Sequence, residues 1–219
     1  MGVMMDLNKY IEHTLLKQDA TKAEVIKLLE EAKEYNFLGV CVNPVNVQLA
    51  SEFLKGTGIK TVTVIGFPLG QSTTESKVLE TIDAVKNGAD EIDMVLNSGK
   101  LKDGEFDFIV EEISKIKTAC QGKVLKVILE TDLLSQDEIK TASTLCVKGG
   151  ADFVKTSTGF VKNGVGAKVE DVKLMFETVK EAGLGVKASG GIRDKEKAIA
   201  MIEAGATRIG TSSGVIICS

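Results

Sequence analysis

The sequence is poor in the residues that build several common kinds of functional site. Its 219 residues include one histidine, His13, no tryptophan and two prolines, and aromatic residues make up 5%. A single histidine excludes a histidine-rich metal site. It also leaves only His13 for a Ser-His-Asp triad, and we expect this residue to be a packed or hydrogen-bonded strand residue instead.

Cysteine is also sparse, and the thiols lie far apart without a C-x-x-C pair. The spacing predicts reduced thiols rather than a disulfide framework or a zinc site. Cys41, within LGVCVNP, has no evident activating neighbour and is expected to be a small core residue. No carboxylate cluster has metal-ligand spacing, so no metal or other cofactor is expected. The four cysteines are Cys41, Cys120, Cys146 and Cys218.

Long apolar runs and basic clusters are missing as well. The net charge is -4 with a pI near 5.3, which argues against a nucleic-acid partner. No apolar run is long enough to span a bilayer, so no membrane partner is expected. The opening MGVMMDLNKY is too short in apolar residues for a signal peptide, and Asp6 breaks the myristoylation pattern. Together with reduced thiols, these features predict a cytoplasmic protein.

What the sequence does contain is a repeated αβ join. Three phrases recur: NGADEIDMV at 87–95, GGADFVKTS at 149–157 and AGATRIGTS at 204–212. In each, glycine can end a helix in the left-handed conformation before an apolar strand begins. With 43% hydrophobic and 26% charged residues, the composition is that of one globular domain over residues 1–219.

Short β-branched runs alternate with helical patterns along the chain, which favours a parallel sheet covered by helices. Seven strands are predicted, and YIEHTLL at 10–16 is the remaining candidate for an eighth, so the sequence predicts a single (β/α)8 TIM barrel. The alternative is an open doubly wound sheet, but NPVNV follows the first long strand where a glycine-rich dinucleotide turn is expected. The predicted strands are 38–42, 61–67, 91–96, 124–129, 152–156, 185–189 and 208–212; the helical patterns include 21–35, 75–87, 106–119 and 169–183.

Polar residues near the C-terminal strand ends are the candidates for chemistry, because the active site of such a barrel lies there. This filter selects Asp93, Lys155, Lys187 and the loop 210–214. A lone buried lysine is more often paired with a carboxylate. Two on neighbouring strands are harder to neutralise with one carboxylate, and their repulsion favours a neutral, nucleophilic amine on one of them.

The surroundings of the lysine pair can be predicted further. A carboxylate stabilises a nearby ammonium, so Asp93 is expected nearer to Lys187, as the lysine that stays charged, than to Lys155. Lys126 lies mid-strand and is interpreted as structural, paired with Glu91 lower in the barrel.

Glycine-rich turns follow the last two strands, at SGGI 189–192 and GTSSG 210–214. Barrels commonly bind phosphate at this place, because glycine lets an anion approach backbone N–H groups. Tight turns use glycine pairs too, so it is the position of these glycines that favours a phosphate site.

Four phrases in this order resemble the deoxyribose-phosphate aldolases: EIDMVLNSGKL, KVILET, GADFVKTSTGF and GVKASGGIR. The likeness extends from IEHTLL to GTSSG. It implies a metal-independent class I aldolase of deoxyribose phosphate catabolism that interconverts 2-deoxy-D-ribose 5-phosphate with acetaldehyde and D-glyceraldehyde 3-phosphate. These small molecules are the implied partners, and the sequence leaves a homo-oligomer open.

The resemblance also implies residue roles. Lys155 forms the Schiff base, Lys187 tunes it, and Asp93 transfers protons with a bound water. Phosphate and substrate contacts fall on Gly190, Gly191, Ser212, Ser213, Thr14 and Thr158.

Three features depart from the family pattern. Glu12 stands where aspartate is common, and Val165 interrupts a run that is often all glycine. Some members have a C-terminal tail ending in tyrosine that assists proton transfer, whereas this sequence ends at Ser219, so water or another residue is expected to carry that step.

Two rival functions remain open at this point. One is a different Schiff-base aldolase or transaldolase-like barrel, which would use a dihydroxyacetone donor. The other is a catalytically silent barrel that binds sugar phosphates, although such a protein has little reason to keep two costly buried amines.

Overall fold

Eight parallel strands close into a barrel in the computed structural model, which describes residues 6–219. Neighbouring strands pair in chain order, and β1 closes the ring against β8 through Ile11 opposite Ile209 and His13 opposite Thr211. The predicted (β/α)8 barrel and its eighth strand are therefore confirmed. The strands are β1 Ile11–Leu15, β2 Gly39–Val42, β3 Lys60–Ile65, β4 Glu91–Val95, β5 Val124–Ile128, β6 Phe153–Lys155, β7 Gly185–Ser189 and β8 Arg208–Thr211.

Helices cover the outside of the barrel. Thr21 and Ser135 begin α1 and α6 with capping boxes, each with a glutamate three residues later that bonds back to the cap. The helices are α1 Lys22–Glu34, α2 Val47–Phe53, α3 Thr74–Lys86, α4 Ser98–Lys102, α5 Phe106–Ala119, α6 Gln136–Gly149, α7 Val169–Val179, α8 Lys195–Glu203 and α9 Gly214–Cys218. None of them is long and apolar enough to cross a membrane, within residues 6–219.

The repeated glycine phrase forms the predicted joins. Gly150 ends α6 in the left-handed conformation at φ +81°, and the chain then enters β6. Gly88 and Gly205 also have positive φ, at +100° and +111°. The predicted strands are mostly one or two residues too long at their C-terminal ends, because the chain there leaves the sheet to form the loops of the site.

The interior of the barrel has two unlike sides. Apolar side chains from β2 and β3 form a small cluster of Cys41, Val62 and Val64 with Leu16. The other strands direct charged side chains into the barrel. Arg208 is partly exposed, and the rest are fully or almost fully buried: Glu12, Glu91, Asp93, Lys126, Lys155 and Lys187. A barrel centre is normally filled by branched apolar residues, so this charged side indicates function.

Two further expectations can be checked on the described residues. His13 is buried, with Nε2 2.8 Å from Glu31 Oε2 and its ring 5.1 Å from that of Phe37, so it is the packed, hydrogen-bonded residue that we predicted. Cys41 is buried in the core, and burial raises the pKa of its thiol. The signal-peptide and single-domain predictions concern residues 1–5 as well, which lie outside the described part, and both remain predictions.

Candidate active site

Strand register brings the three predicted catalytic side chains together. Asp93 of β4 lies opposite Lys126 of β5, and Lys155 of β6 lies opposite Lys187 of β7. Side chains directly opposite in adjacent strands point to the same face. All four point into the barrel, where salt bridges to Asp93 join them; Lys155 is the last residue of its strand and the other three lie mid-strand.

Asp93 is the hub of this cluster. Its Oδ2 lies 2.8 Å from Lys155 Nζ and 2.7 Å from Lys187 Nζ, and its Oδ1 lies 2.9 Å from Lys126 Nζ. Asp93 therefore lies nearer to Lys187 than to Lys155, as expected, but only by 2.7 Å against 2.8 Å. Because β6 and β7 are adjacent and their lysines are in register, both amines reach the same carboxylate oxygen.

Lys126 and Lys187 are each held by more than one carboxylate. Lys126 Nζ lies 2.6 Å from Glu91 Oε2, as predicted, but also 3.4 Å from Glu12 Oε1, so it belongs to the same network as Asp93. Lys187 Nζ donates to Glu12 Oε2 as well as to Asp93.

Glu12 is a member of the cluster that the sequence analysis treated only as a departure from the family pattern. Its side chain is completely buried on β1, between Lys187 and Lys126, and Oε1 lies 3.4 Å from Arg208 Nε. An acidic residue in the middle of a short buried strand was the available signal, since burying an unpaired carboxylate is costly.

The number of charges singles out one lysine. In the described residues the cluster holds three carboxylates and four cations, so full ionisation leaves one positive charge unmatched: Glu12, Glu91 and Asp93 against Lys126, Lys155, Lys187 and Arg208. Arg208 cannot lose its proton. Lys155 contacts one carboxylate, whereas Lys126 contacts three and Lys187 two. Lys155 is therefore the amine whose neutral form disturbs the network least.

The pKa values of Lys187, Lys126 and Asp93 agree with this assignment. Burial disfavours the charged form of Lys187, but the attraction of Asp93 and Glu12 outweighs it and raises the pKa of its ammonium. Burial is likewise outweighed at Lys126, whose pKa Asp93 and Glu12 raise. For Asp93, burial opposes ionisation, yet Lys126, Lys155 and Lys187 hold the pKa of its carboxyl well below the usual range. Near neutral pH these three groups are charged.

A cavity of about 270 Å³ opens above the cluster, and Lys155 is the only cluster member that lines it. Five of the predicted substrate and phosphate residues also line it: Thr14, Thr158, Gly190, Gly191 and Ser212. Asp93 and Lys187 lie beneath its floor and are completely buried. Ser213 is absent from the lining, and its backbone N–H donates to Thr211 Oγ1 at 2.9 Å.

The glycine turn after β7 has a left-handed backbone at both of its glycines. Gly190 and Gly191 have φ of +86° and +67°, a region that glycine enters without steric cost. The turn packs against the loop after β6, where Ala167 N–H donates to Gly190 O at 3.0 Å. Val165, in that loop, is 56% exposed and does not line the cavity, so this departure from the family pattern stays at the surface.

Several lining residues escaped the sequence analysis. Lys17 and Arg193 are exposed cations that line the cavity, and Ser157 is a buried residue whose Oγ has no partner among the described residues. Lys17 directly follows IEHTLL and Arg193 directly follows SGGI. Their position next to these two phrases was the signal that could have identified them.

The sequence model of one family, described as DeoC/LacD family aldolase, matches residues 3–219. The chain belongs to this family. It is thus an aldolase, a carbon–carbon lyase, and the resemblance seen in its motifs is confirmed.

Relatives and solved structures agree with this membership. A deoxyribose-phosphate aldolase of Brevibacillus brevis is 57% identical over 213 residues, which cover 97% of this chain and 95% of that protein. The solved structure of "QR15, an Aldolase" has a TM-score of 0.93 at 46% identity, covering 98% of this chain and 95% of the other. The tetrameric deoxyribose phosphate aldolase of Aeropyrum pernix has a TM-score of 0.89 at 36% identity, covering 97% of this chain and 89% of the other.

Proposed function

We propose that this aldolase reversibly cleaves 2-deoxy-D-ribose 5-phosphate to acetaldehyde and D-glyceraldehyde 3-phosphate through an imine on Lys155, in deoxyribose phosphate catabolism. The observation that carries the proposal is the position of Lys155. It is the cluster amine with the fewest carboxylate contacts and the only one that lines the cavity. The names of the relatives supply the substrate.

The proposed reaction begins when the neutral Lys155 amine attacks the aldehyde carbon of the open-chain sugar. Loss of water from the carbinolamine gives a protonated imine. A base then removes the proton of the hydroxyl at the third carbon, the bond between the second and third carbons breaks, and its electron pair passes into the imine to form an enamine. D-Glyceraldehyde 3-phosphate leaves. Protonation of the enamine carbon and hydrolysis release acetaldehyde and regenerate Lys155.

Asp93 and Lys187 have separate roles in this scheme. Asp93 moves protons, through a bound water, to and from the reacting carbon above it. Lys187 stays charged, held by Glu12 and Asp93, and so keeps the Asp93 carboxylate ionised. It also disfavours a second ammonium at Lys155 by charge repulsion.

The glycine turns are proposed as the phosphate site. Backbone N–H groups of Gly190 and Gly191, together with Ser212, present donors to the anion, and Lys17 and Arg193 add positive charge. Thr14 and Thr158 lie beside the sugar. Ser213 keeps its predicted phosphate role only through its side chain, because its N–H is already bonded to Thr211.

The oligomeric state and the cellular location are proposed on one observation each. The Aeropyrum pernix relative is tetrameric, and a homo-oligomer is proposed on that likeness. A cytoplasmic location is proposed on the four free cysteines, three of which are buried.

The substrate proposal is tested by donor choice. We expect the purified protein to condense acetaldehyde with D-glyceraldehyde 3-phosphate and to reject dihydroxyacetone as donor. Activity should survive EDTA, because the imine itself accepts the electrons of the broken bond. Coupled assays of both donors, with and without chelator, check this. Preference for dihydroxyacetone indicates a different aldolase, and loss of activity in EDTA that zinc restores contradicts the imine mechanism.

The phosphate site is tested by Gly190→Ala. A Cβ there would lie 3.0 Å from Gly166 Cα and 3.3 Å from Ser157 Cβ. The turn must therefore shift, and its backbone N–H groups no longer point at the phosphate. We expect KM for the phosphorylated sugar to rise on the order of tenfold to a hundredfold, the value of a charge-assisted hydrogen bond. Cleavage of unphosphorylated deoxyribose should change little, and inorganic phosphate should compete with the substrate of the parent protein.

Gly122→Ala is the matched control for this test. Gly122 has φ +85°, and a Cβ there meets nothing within 4 Å, so the variant has the same backbone strain far from the cavity. An unchanged KM in Gly190→Ala, or an equal rise in both variants, places the phosphate elsewhere.

A further inference from the structure

Glu130 has an unusual backbone conformation two residues after the end of β5. Its φ and ψ are 60° and 63°, in the left-handed region, and its side chain is 4% exposed. The other non-glycine residues with positive φ among the described residues are Asn36, Gln121 and Asn163, all in exposed positions. A buried residue with a Cβ holds this conformation only when its surroundings impose it, and such residues cluster at functional sites.

The carboxylate of Glu130 is committed to one partner, Thr158. Oε1 accepts the backbone N–H of Thr158 at 3.1 Å, and Oε2 accepts its hydroxyl in a short hydrogen bond. A backbone hydrogen bond from Thr131 N–H to Thr156 O at 2.9 Å ties the same two loops together. The left-handed turn thus directs Glu130 at the loop that follows Lys155.

These contacts decide what the Thr158 hydroxyl can offer to a ligand. A threonine hydroxyl has one proton to donate and two lone pairs to accept with. The proton goes to Glu130, and one lone pair accepts the N–H of Phe160 at 3.0 Å. One lone pair remains, and Thr158 lines the cavity. Towards the cavity, Thr158 is a hydrogen-bond acceptor and cannot donate.

We propose that Glu130 is a positioning residue that makes Thr158 accept a hydrogen bond from a hydroxyl of the substrate. The inference rests on the proposed function, because a sugar supplies that hydroxyl and acetaldehyde does not. It assigns to Glu130 a role in selecting hydroxylated substrates over simple aldehydes.

Protonation of Glu130 reverses this polarity. Once Oε2 holds a proton it donates to Thr158 Oγ1, both lone pairs are then occupied, and the threonine proton turns towards the cavity as a donor. Burial raises the pKa of the Glu130 carboxyl, the two Thr158 hydrogen bonds lower it, Asp132 raises it and Lys155 lowers it, with a net upward shift. Below the raised pKa, Glu130 is mostly protonated and Thr158 presents a donor to the cavity instead of an acceptor. The rate of sugar cleavage should therefore fall as the pH drops below that pKa.

Glu130→Gln tests this role, because glutamine mimics the protonated acid. Its carbonyl oxygen accepts the Thr158 N–H while its amide N–H donates to Thr158 Oγ1. We expect kcat/KM for 2-deoxyribose 5-phosphate to fall on the order of tenfold to a hundredfold, the effect of one mispaired buried hydrogen bond. Cleavage divided by acetaldehyde trapping, a ratio that cancels any pH effect on imine formation itself, should lose its acid limb. The rate of borohydride trapping with acetaldehyde, which has no hydroxyl, should stay within about twofold of the parent rate.

The matched control is Glu138→Gln, since Glu138 also accepts a backbone N–H, that of Ser135, but outside the cavity. Thr158→Val is the second variant and should show the same loss and the same missing acid limb. Equal loss of trapping and cleavage in Glu130→Gln shows a structural role and overturns the inference, as does an unchanged acid limb of that ratio in either variant. A parent protein that neither traps acetaldehyde nor cleaves the sugar overturns the proposed function itself, and the inference with it.

Discussion

Lys155→Ala is expected to abolish cleavage of deoxyribose phosphate, by on the order of 10⁴-fold or more, the scale of removing a covalent nucleophile. The reason is that no other cluster amine can replace it: Lys126 contacts three carboxylates and Lys187 two, and neither lines the cavity. Trapping of acetaldehyde with borohydride, followed by peptide mapping, measures the outcome. The parent protein should show the reduced adduct on Lys155, and the variant should show none.

Lys148→Ala is a suitable control, because Lys148 is an exposed lysine on α6. It should trap acetaldehyde like the parent. An adduct mapped to Lys187 or Lys126 while Lys155 remains unmodified would mean that the nucleophile has been assigned to the wrong strand.

The second large effect is expected for Asp93→Asn, which should separate imine formation from proton transfer. Lys155 loses its single carboxylate partner, so its neutral form is favoured and trapping with acetaldehyde should persist. The amide cannot take up the proton that the carboxylate moves, so exchange of the acetaldehyde methyl protons with deuterium should fall on the order of 10²-fold to 10⁴-fold. Proton NMR in heavy water measures that exchange.

The same variant should lose stability. Removing one partner of a buried charge cluster costs about 3–5 kcal/mol, although deprotonation of a lysine offsets part of it. Because the folded-state pKa of Asp93 is lowered, its contribution is full above the ordinary carboxyl pKa and declines as the pH falls towards the lowered value. Urea unfolding at several pH values should show this acid-dependent decline in the parent and its reduction in Asp93→Asn.

Asp152→Asn provides the comparison for this experiment. Asp152 precedes β6, where it accepts from Lys117 Nζ at 2.5 Å and from Leu125 N at 2.7 Å, outside the cavity lining. It should lose stability while keeping deuterium exchange. If Asp93→Asn exchanges deuterium at the parent rate, Asp93 has no role in proton transfer.

Much of the fold followed from local patterns. The repeated glycine phrase predicted the joins at Gly88, Gly150 and Gly205, because each needs a conformation that glycine adopts without strain. β-Branched runs predicted the strands to within one or two residues at each end. Closure of the barrel was predicted by count, since the weak pattern at 10–16 was the remaining candidate for an eighth strand, and β1 does pair with β8.

The sequence by itself also selected Asp93, Lys155 and Lys187, because they lie near the predicted C-terminal strand ends, where a barrel places its active site. What only the tertiary structure decided is how those charges are divided. One oxygen of Asp93 serves both lysines, Glu12 arrives from a strand 81 residues earlier in the chain, and Glu130 binds Thr158 across two loops. Such contacts join residues far apart in sequence, and hydrogen-bond polarity depends on distances of a few ångströms that no local pattern encodes.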